Sequence, residues 1–381
     1  MRKVFTFILF CVVAGATAQS QTTETPPANK KRLLGFRSLS DTISEEKSGI
    51  FVLPLIYYTP DTRWAFGAAG VYYFKIAAAN TNEKDTRMSN VQFLADYTQN
   101  RQLDVWGLWN IFTRNENYLL KGEARYRNFP DRFYGIGNNT RKEDSELYSY
   151  SLLSLKNLVM KQLRPAFFAG FDYHIEKEYN FSYSDNGLLQ SGAVTGYNGA
   201  IGSALGLVAV YDNRDNVINT YRGRLIEASS YFFSPVLGST FAFTYFNLSY
   251  HDFYRIRHKH IFAIQTRLRL GTGSIPFLDM STAGNDDMLR GYAKNRFRDH
   301  NFAGTQVEYR FPLFWRFGGV AFAGVGDVFR KPADLEFRLL KYSIGGGLRF
   351  VINPAERLNV RLDYGYGREG GHFYFVVAEA F

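Results

Sequence analysis

The sequence predicts an all-β protein, a barrel of sixteen antiparallel strands that spans a membrane. Three observations indicate this fold. Strand-length segments alternate apolar and polar residues with a period of two, as strands with one apolar face do. Aromatic residues make up 17% of the 381 residues, which suits the aromatic girdles of membrane barrels. The first residues have the pattern of an export signal, which places the chain outside the cytoplasm.

The N-terminus has the parts of a secretory signal. Arg2 and Lys3 precede a short apolar core, and an A-x-A cleavage site ends at Ala18, so we expect residues 1–18 to be removed. Cys11, the only cysteine, would leave with them, and the remaining chain would have no disulfide or thiolate metal site. Loss of two basic residues lowers the formal net charge from +10 to about +8. This charge suits anionic lipid headgroups or a solvated basic surface.

Residues 19–49 are polar and rich in turn-forming residues, so we expect a short linker or helix there rather than a domain. The barrel is expected to occupy residues 50–381. Beyond the signal, no run approaches the roughly 18 apolar residues that a membrane-spanning helix needs. A helical membrane protein is therefore not expected.

The segment from Arg357 to Tyr366 shows the alternation most clearly. One face carries Leu358, Val360, Leu362, Tyr364 and Tyr366, and the other carries Arg357, Asn359, Arg361, Asp363 and Gly365. Because successive side chains of a strand point to opposite faces, the charged face is expected to line the lumen. The same pattern predicts sixteen strands, near 50–58, 63–76, 88–97, 101–113, 117–128, 147–156, 163–178, 199–211, 222–233, 241–254, 258–270, 302–311, 317–328, 339–351, 357–367 and 371–381.

The lengths of the predicted links support this arrangement. The long links, at 129–146, 179–198, 271–301 and 329–338, all join an odd strand to an even one. Most even-to-odd links are short, and 77–87 is the exception. Membrane barrels have long extracellular loops and short periplasmic turns, so the first strand is expected to run outward.

Four motifs then occur in order. They are the turn from Tyr211 to Gly223, the pair SIPF and LRGY (Ser274–Phe277 and Leu289–Tyr292), VEYRFPL (Val307–Leu313) and the ending HFYFVVAEAF. On these residues the chain resembles the BamA/TamA-type bacterial surface antigen superfamily. The resemblance covers residues 200–381 best, and RFYGIGNN (Arg132–Asn139) is the best match before them. It implies a sixteen-stranded outer-membrane barrel that inserts or secretes proteins, or moves lipid.

The resemblance also implies a role for the long loop. Its arginine, Arg290, is expected to fold back into the barrel and to pair with an inward carboxylate on the predicted twelfth strand, Glu308. Gly291 would permit a tight turn, and Tyr292 would pack on the wall. The alternative is that Arg290 is a solvated arginine of an exposed loop.

The chain departs from the family in two places. Relatives carry an inward Phe-x-Asp-x-Gly on the next strand, whereas here Gly324 fills the aspartate position and Asp327 lies three residues on. Either Arg290 has Glu308 alone, or a bulge at 324–326 turns Asp327 inward. Relatives also carry periplasmic domains before the barrel, and residues 19–49 are too short to hold one. We therefore expect the short form of the family, a barrel without N-terminal periplasmic domains.

Two further sets of residues follow from the resemblance. The turn between the eighth and ninth strands would be built by Asp212, Arg214, Asp215 and Gly223. The last strand would carry the signal that the barrel assembly machinery reads during the protein's own insertion, namely Phe373, Phe375, Val377 and Phe381.

Two functions fit the sequence. The first is insertion or translocation at a weak seam between the first and last strands, with outer-membrane lipids and client proteins or lipids as partners. The second is a passive channel for small solutes, whose polar lumen is lined by Arg267, Arg269, Arg349, Arg361 and Asp363 and whose inward arginines would favour anions. No motif indicates an enzyme, a cofactor, a metal site or a nucleic-acid partner, and none indicates an oligomeric state. The predicted location is the outer membrane of a Gram-negative bacterium.

Overall fold

The computed structural model describes residues 48–59, 63–76, 86, 88–183, 187–354, 357–377 and 379–381. The expectations for residues 1–47, including the export signal, and most of the exceptional link at 77–87 lie outside the described residues. Within the described ranges the structure is built from strands, with three helical turns of three residues each. None of the helices found there is long and apolar enough to cross a bilayer.

The described residues form eighteen strands, of which β12 and β13 are short. In chain order they are β1 (Ser48–Thr59), β2 (Arg63–Phe74), β3 (Ser89–Thr98), β4 (Leu103–Phe112), β5 (Tyr118–Phe133), β6 (Glu146–Arg164), β7 (Phe167–Tyr183), β8 (Ala200–Asp212), β9 (Gly223–Phe233), β10 (Phe243–Arg257), β11 (His260–Gly273), β12 (Ser281–Ala283), β13 (Phe297–Asp299), β14 (Asn301–Pro312), β15 (Phe317–Phe329), β16 (Lys341–Asn353), β17 (Leu358–Gly367) and β18 (Gly370–Val377).

Sixteen of these strands form one antiparallel sheet in which each strand pairs with its neighbours along the chain. The order runs from β1 to β11 and then from β14 to β18, while β12 and β13 pair with each other in the link between β11 and β14. Each predicted strand corresponds to one strand of the large sheet. The predicted fold class, a sixteen-stranded antiparallel membrane barrel, is confirmed.

Strand β17 has the predicted inner and outer faces. Arg361 and Asp363 are 1% and 0% exposed, whereas Leu362 and Tyr364 between and beyond them are 43% and 42% exposed. A soluble protein would bury the apolar face, so this inverted burial is what a lipid-facing wall around a polar lumen requires.

The largest differences from the predicted boundaries lie in β5, β6, β7 and β18. β5 continues to Phe133 instead of 128, and β7 spans Phe167–Tyr183 instead of 163–178. β6 continues to Arg164, so the predicted turn at 157–162 lies within this strand, and Lys156 faces the lumen 3.7 Å from Glu123 of β5. β18 ends at Val377, so the predicted strand 371–381 is too long. Beyond it, the Glu379 carboxylate contacts Arg349 inside the barrel, which turns the chain away from the wall.

The link between β11 and β14 is the sixth extracellular loop (loop 6, residues 274–300), and it lies within the barrel. On one side, the ring of Phe277 packs on those of Phe133 and Tyr148, with centroids 5.6 and 5.4 Å apart. On the other side, Leu289 packs with Val328 of β15. Because a single loop touches walls formed by β5, β6 and β15, the sheet must curve around it.

Candidate functional site

Loop 6 turns back at a point where it touches the wall backbone to backbone. Gly291 has a φ of 116°, and a Cβ there would lie 2.7 Å from the carbonyl carbon of Tyr366. Opposite it, a Cβ on Gly365 of β17 would lie 2.5 Å from the carbonyl carbon of Arg290. The approach therefore needs glycine on both sides.

Arg290, beside this turn, is held by two carboxylates on different strands. Its Nη2 lies 2.7 Å from Oε2 of Glu308 on β14, and its Nη1 lies 2.7 Å from Oδ2 of Asp363 on β17. The guanidinium also lies over the ring of Phe322, 3.4 Å from the centroid. All three charged side chains are 0% exposed. Burial weakens screening by water, so both hydrogen bonds are strong and directional.

Three further arginines contact the same two acids. Arg310 Nε lies 2.7 Å from Glu308, Arg349 Nη1 lies 2.5 Å from Asp363, and Arg361 Nη1 lies 2.9 Å from Asp363. We call these six residues the arginine cluster (Arg290, Arg310, Arg349, Arg361, Glu308 and Asp363). Two more acids border it: Asp286 lies 3.0 Å from Arg361, and Glu379 lies 2.8 Å from Arg349. Four acids thus face four arginines, which a buried site requires.

Gly291 and Tyr292 join the loop to the last strands of the sheet. The hydroxyl of Tyr374 on β18 accepts a hydrogen bond from the Gly291 backbone N–H at 2.8 Å and donates one to the Tyr292 carbonyl at 3.0 Å. The Tyr292 hydroxyl donates to the carbonyl of Tyr342 on β16 at 2.9 Å. Burial raises the pKa of this hydroxyl, so it stays a donor at neutral pH.

A second buried arginine of loop 6, Arg296, was not singled out from the sequence. Its Nη2 lies 2.6 Å from Oε1 of Glu369 in the β17–β18 turn. The same guanidinium donates to the side chain and carbonyl of Thr140, at 2.8 and 2.7 Å. It therefore joins loop 6 to two other extracellular links. In the sequence Arg296 is one more basic residue of the loop, and it lies outside the LRGY motif that singled out Arg290.

Asp327 is not a partner of Arg290. β14 and β15 pair without a register shift through Ala303↔Asp327 and Gln306↔Gly324, so the bulge considered from the sequence is absent. The Asp327 carboxylate instead accepts hydrogen bonds from Lys341 Nζ at 2.7 Å and from Asn138 Nδ2 at 3.2 Å. The second acid beside Arg290 is Asp363, two strands further on.

Asp279 of loop 6 lies against acids on the opposite wall. Burial, and then the charges of Glu176 and Glu178 on β7, raise the pKa of its carboxyl well above the ordinary value. Its backbone carbonyl accepts a hydrogen bond from Arg269 Nη2 at 2.8 Å. Ionisation of this carboxyl therefore opposes the docked position of the loop.

The turn between β8 and β9 brings the expected residues together. Arg214 pairs with Asp212 at 2.9 Å, and Gly223 has a φ of 111°. Asp215 lies 2.8 Å from Arg357, in the turn between β16 and β17. Burial alone would raise the pKa of Asp215. Hydrogen bonds from Arg357 and from two backbone N–H groups outweigh it and lower that pKa. This turn therefore reaches the other side of the periplasmic opening.

The expected C-terminal signal is divided between two environments. Phe373 and Phe375 point outward and are 70% and 50% exposed, and Val377 ends β18. Phe381, in contrast, lies 6.0 Å from Phe253 of β10 between ring centroids, and its carbonyl accepts a hydrogen bond from Arg310 at 2.9 Å. The sequence predicted that Phe381 continues the outward face of the last strand. In the structure it does not.

Comparisons with known proteins agree with this architecture. Among solved structures, the chain is similar to BamA from Haemophilus ducreyi lacking POTRA domains 1-3, with 12% identity and a TM-score of 0.57. It is also similar to CdiB from Acinetobacter baumannii, with 10% identity and a TM-score of 0.55. Each match covers 87% of this chain, and they cover 70% and 60% of the two known chains.

At these identities the structural likeness concerns the fold. No curated protein matches the sequence. A family model described as the Omp85 superfamily domain matches residues 71–381, which is most of the chain. The chain therefore belongs to the Omp85 superfamily, whose barrels lie in the outer membrane of Gram-negative bacteria.

Proposed function

We propose that this barrel inserts or translocates client proteins, or moves lipid, at the seam between β1 and β18. Membership of the Omp85 superfamily supports an insertion or translocation barrel in general terms. The client and the direction of movement are parts of the proposal that superfamily membership does not define. Its partners would be outer-membrane lipids, client proteins or lipids, and the barrel assembly machinery during its own insertion.

The lack of pairing between β1 and β18 is the observation that carries this proposal. β1 and β18 are the two ends of the sheet order, and no backbone pairing joins them among the described residues. β18 has eight residues against twelve in β1, and it opens with Gly370 and Gly371. An unpaired edge presents free N–H and C=O groups, which can pair with a strand from another chain.

The filled lumen supports insertion over the passive channel. Arg349 and Arg361, expected to line an anion path, are 4% and 1% exposed and are paired with acids. Arg267 lies 2.6 Å from Asp287 of loop 6. A path for anions would need unpaired guanidinium groups, whereas each of these three is paired with an acid.

Covalent closure of the seam tests the proposal. In a Cys11→Ser background, cysteine pairs are placed with one member on β1 and one on β18, and the oxidised barrel is reconstituted in liposomes. We expect a cross-linked seam to abolish the acceleration of folding of a test barrel, or of lipid scrambling, that the reduced barrel gives. The matched control is Leu362→Cys with Phe375→Cys, because these residues are opposite each other in paired strands.

Conductance separates the two functions. Planar bilayers that contain the reduced barrel should show little steady current, because loop 6 fills the lumen. A large steady conductance, together with no effect on folding or on lipid movement, would overturn the proposal in favour of the channel. Equal activity of the seam-linked and control barrels would exclude the seam as the site.

A further inference from the structure

The outer wall of β7–β10 carries a groove of about 380 Å³. Its floor is made of small residues and its sides of large apolar ones, so a depression remains between neighbouring side chains. Phe171 and Leu207 at its sides are 62% and 48% exposed, which places the groove on the face that contacts lipid. The residues that shape it are Ala169, Ala209 and Ala228 below and Phe171, Leu207 and Phe246 around.

A polar cluster lies on the same outer face, at the periplasmic ends of β9 and β10. Asp252 Oδ2 accepts hydrogen bonds from Arg224 Nη2 at 2.6 Å, from Tyr250 at 2.6 Å and from Tyr254 at 2.7 Å. Asp252 faces outward because its neighbour Phe253 packs on Phe381 inside the barrel. We call these four residues the interface cluster (Arg224, Asp252, Tyr250 and Tyr254).

A charged pair on the lipid-facing side is costly in the hydrocarbon layer, and the cost falls near the headgroups. Asp252 is 4% exposed and accepts several hydrogen bonds. Arg224 is different, because its side chain is 44% exposed and donates to Asp252 through Nε and Nη2. The remaining edge of its guanidinium faces outward at headgroup level, where a phosphate can accept its hydrogen bonds.

The groove and the cluster are aligned along the same strands. In the β9–β10 pairing, Arg224 is opposite Asp252 in the interface cluster. Further along the same two strands, Ala228 is opposite Leu248 and Ser230 is opposite Phe246, and Ala228, Ser230 and Phe246 line the groove. Ala228 lies four positions after Arg224 along the strand, which is about 14 Å at a rise of roughly 3.4 Å per residue. The groove thus begins where the acyl chain of a lipid would run if its phosphate lay at Arg224.

The surroundings of Arg224 favour an anionic headgroup. The neighbouring periplasmic ends carry exposed basic side chains, at Arg222, Arg255, Arg257 and Lys259. Within this set of turns, Asp212 and Asp215 are already paired with Arg214 and Arg357. The net positive charge would attract an acidic phospholipid more strongly than a zwitterionic one.

We propose that the outer wall of β7–β10 binds one acidic glycerophospholipid of the periplasmic leaflet, with its phosphate at Arg224 and an acyl chain in the groove. This inference does not depend on the proposed function, because it concerns the lipid-facing wall rather than the seam. A substitution at Arg224 should alter binding of the headgroup, and a substitution at Ala228 should alter binding of the acyl chain.

Native mass spectrometry of the delipidated barrel, titrated with phosphatidylglycerol or phosphatidylcholine, tests the proposal. We expect one tightly retained phosphatidylglycerol per barrel and weaker retention of phosphatidylcholine. Arg224→Gln should weaken phosphatidylglycerol binding about tenfold, because it removes charge-assisted hydrogen bonds. Ala228→Phe should fill the groove and weaken both lipids.

The controls are Arg338→Gln, on an exposed side chain of an extracellular loop, and Ala321→Phe, on the outer face of β15 away from the groove. Heat-modifiable migration on gels checks that each variant is folded. If one variant fails to fold, the other still tests its own half of the site. Retention that is equal in wild type, variants and controls would mean unspecific annular lipid and would overturn the proposal.

Discussion

Arg290 and Asp363 lie 2.7 Å apart inside the barrel, although 73 residues separate them in the chain. Asp363 is on β17, whereas the sequence pattern of relatives places the corresponding acid on the strand that carries Gly324. In this chain the carboxylate beside Arg290 therefore lies two strands further along the sheet than in that pattern. The loop is therefore joined directly to the strand next to β18, at the edge of the sheet.

Replacement of the loop arginine should release loop 6. Removal of one partner from a buried ion pair costs about 3–5 kcal/mol, because the other charges stay buried without it. We expect Arg290→Ala to make loop 6 sensitive to protease in the folded barrel. Arg338→Ala, on a side chain that is 86% exposed, should leave cleavage unchanged. Unchanged cleavage of Arg290→Ala would show that the loop is held by other contacts.

Replacement of Asp363 and of Asp327 should expose different extracellular links to protease. Asp363→Asn should expose loop 6 to protease, because it removes the charge between Arg290, Arg349 and Arg361. Asp327→Asn should instead expose the link at 134–145, because Asp327 contacts Asn138 and Lys341. Mass spectrometry of the fragments identifies the cleaved loop. The same fragments from both variants would contradict the assignment of partners.

An aspartate restored at the position of relatives should rescue the Asp363 variant. A Cβ on Gly324 would lie 3.0 Å from Cβ of Gln306, so Gln306 must shift by a few tenths of an ångström. We expect Gly324→Asp to restore protease resistance to Asp363→Asn, and Gly324→Ala to leave it sensitive. No difference between these double variants would mean that position 324 cannot reach the loop.

Docking of loop 6 should weaken as pH rises. The raised pKa of Asp279 means that the docked loop holds a proton that the free loop releases above its ordinary pKa of about 3.9. A spin label at the exposed position Lys294 should therefore become more mobile as pH rises above that ordinary pKa. Asp279→Asn should remove this response.

His174 is the control for that experiment, because its Nε2 lies 3.0 Å from Oε2 of Glu176, one of the acids that act on Asp279. A His174→Gln variant that keeps the response would assign it to the acids. An Asp279→Asn barrel with the same response as wild type would contradict the role given to Asp279.

Alternation predicted much of the fold from the sequence. The faces of β17 followed from the period-two pattern, so Arg361 and Asp363 were placed in the lumen correctly. The pattern does not show the height of a residue on the wall, nor which distant strand it faces. Asp363 could therefore be recognised as inward, and its contact with Arg290 could not be derived.

The segment after β18 shows a second limit. Phe373, Phe375 and Val377 alternate, so the sequence predicted that the strand continues to Phe381. The turn inward depends on Arg349 and Arg310, which contact Glu379 and the Phe381 carbonyl from β16 and β14. Such a contact exists only after the sheet has curved, and no local pattern records it.

An experimental density map of the barrel in lipid nanodiscs tests the central claim most directly. We expect the Arg290 guanidinium to lie inside the lumen, within hydrogen-bonding distance of both Glu308 and Asp363. A map in which Arg290 is in solvent, or in which it contacts Glu308 alone while Asp363 has other partners, would contradict it.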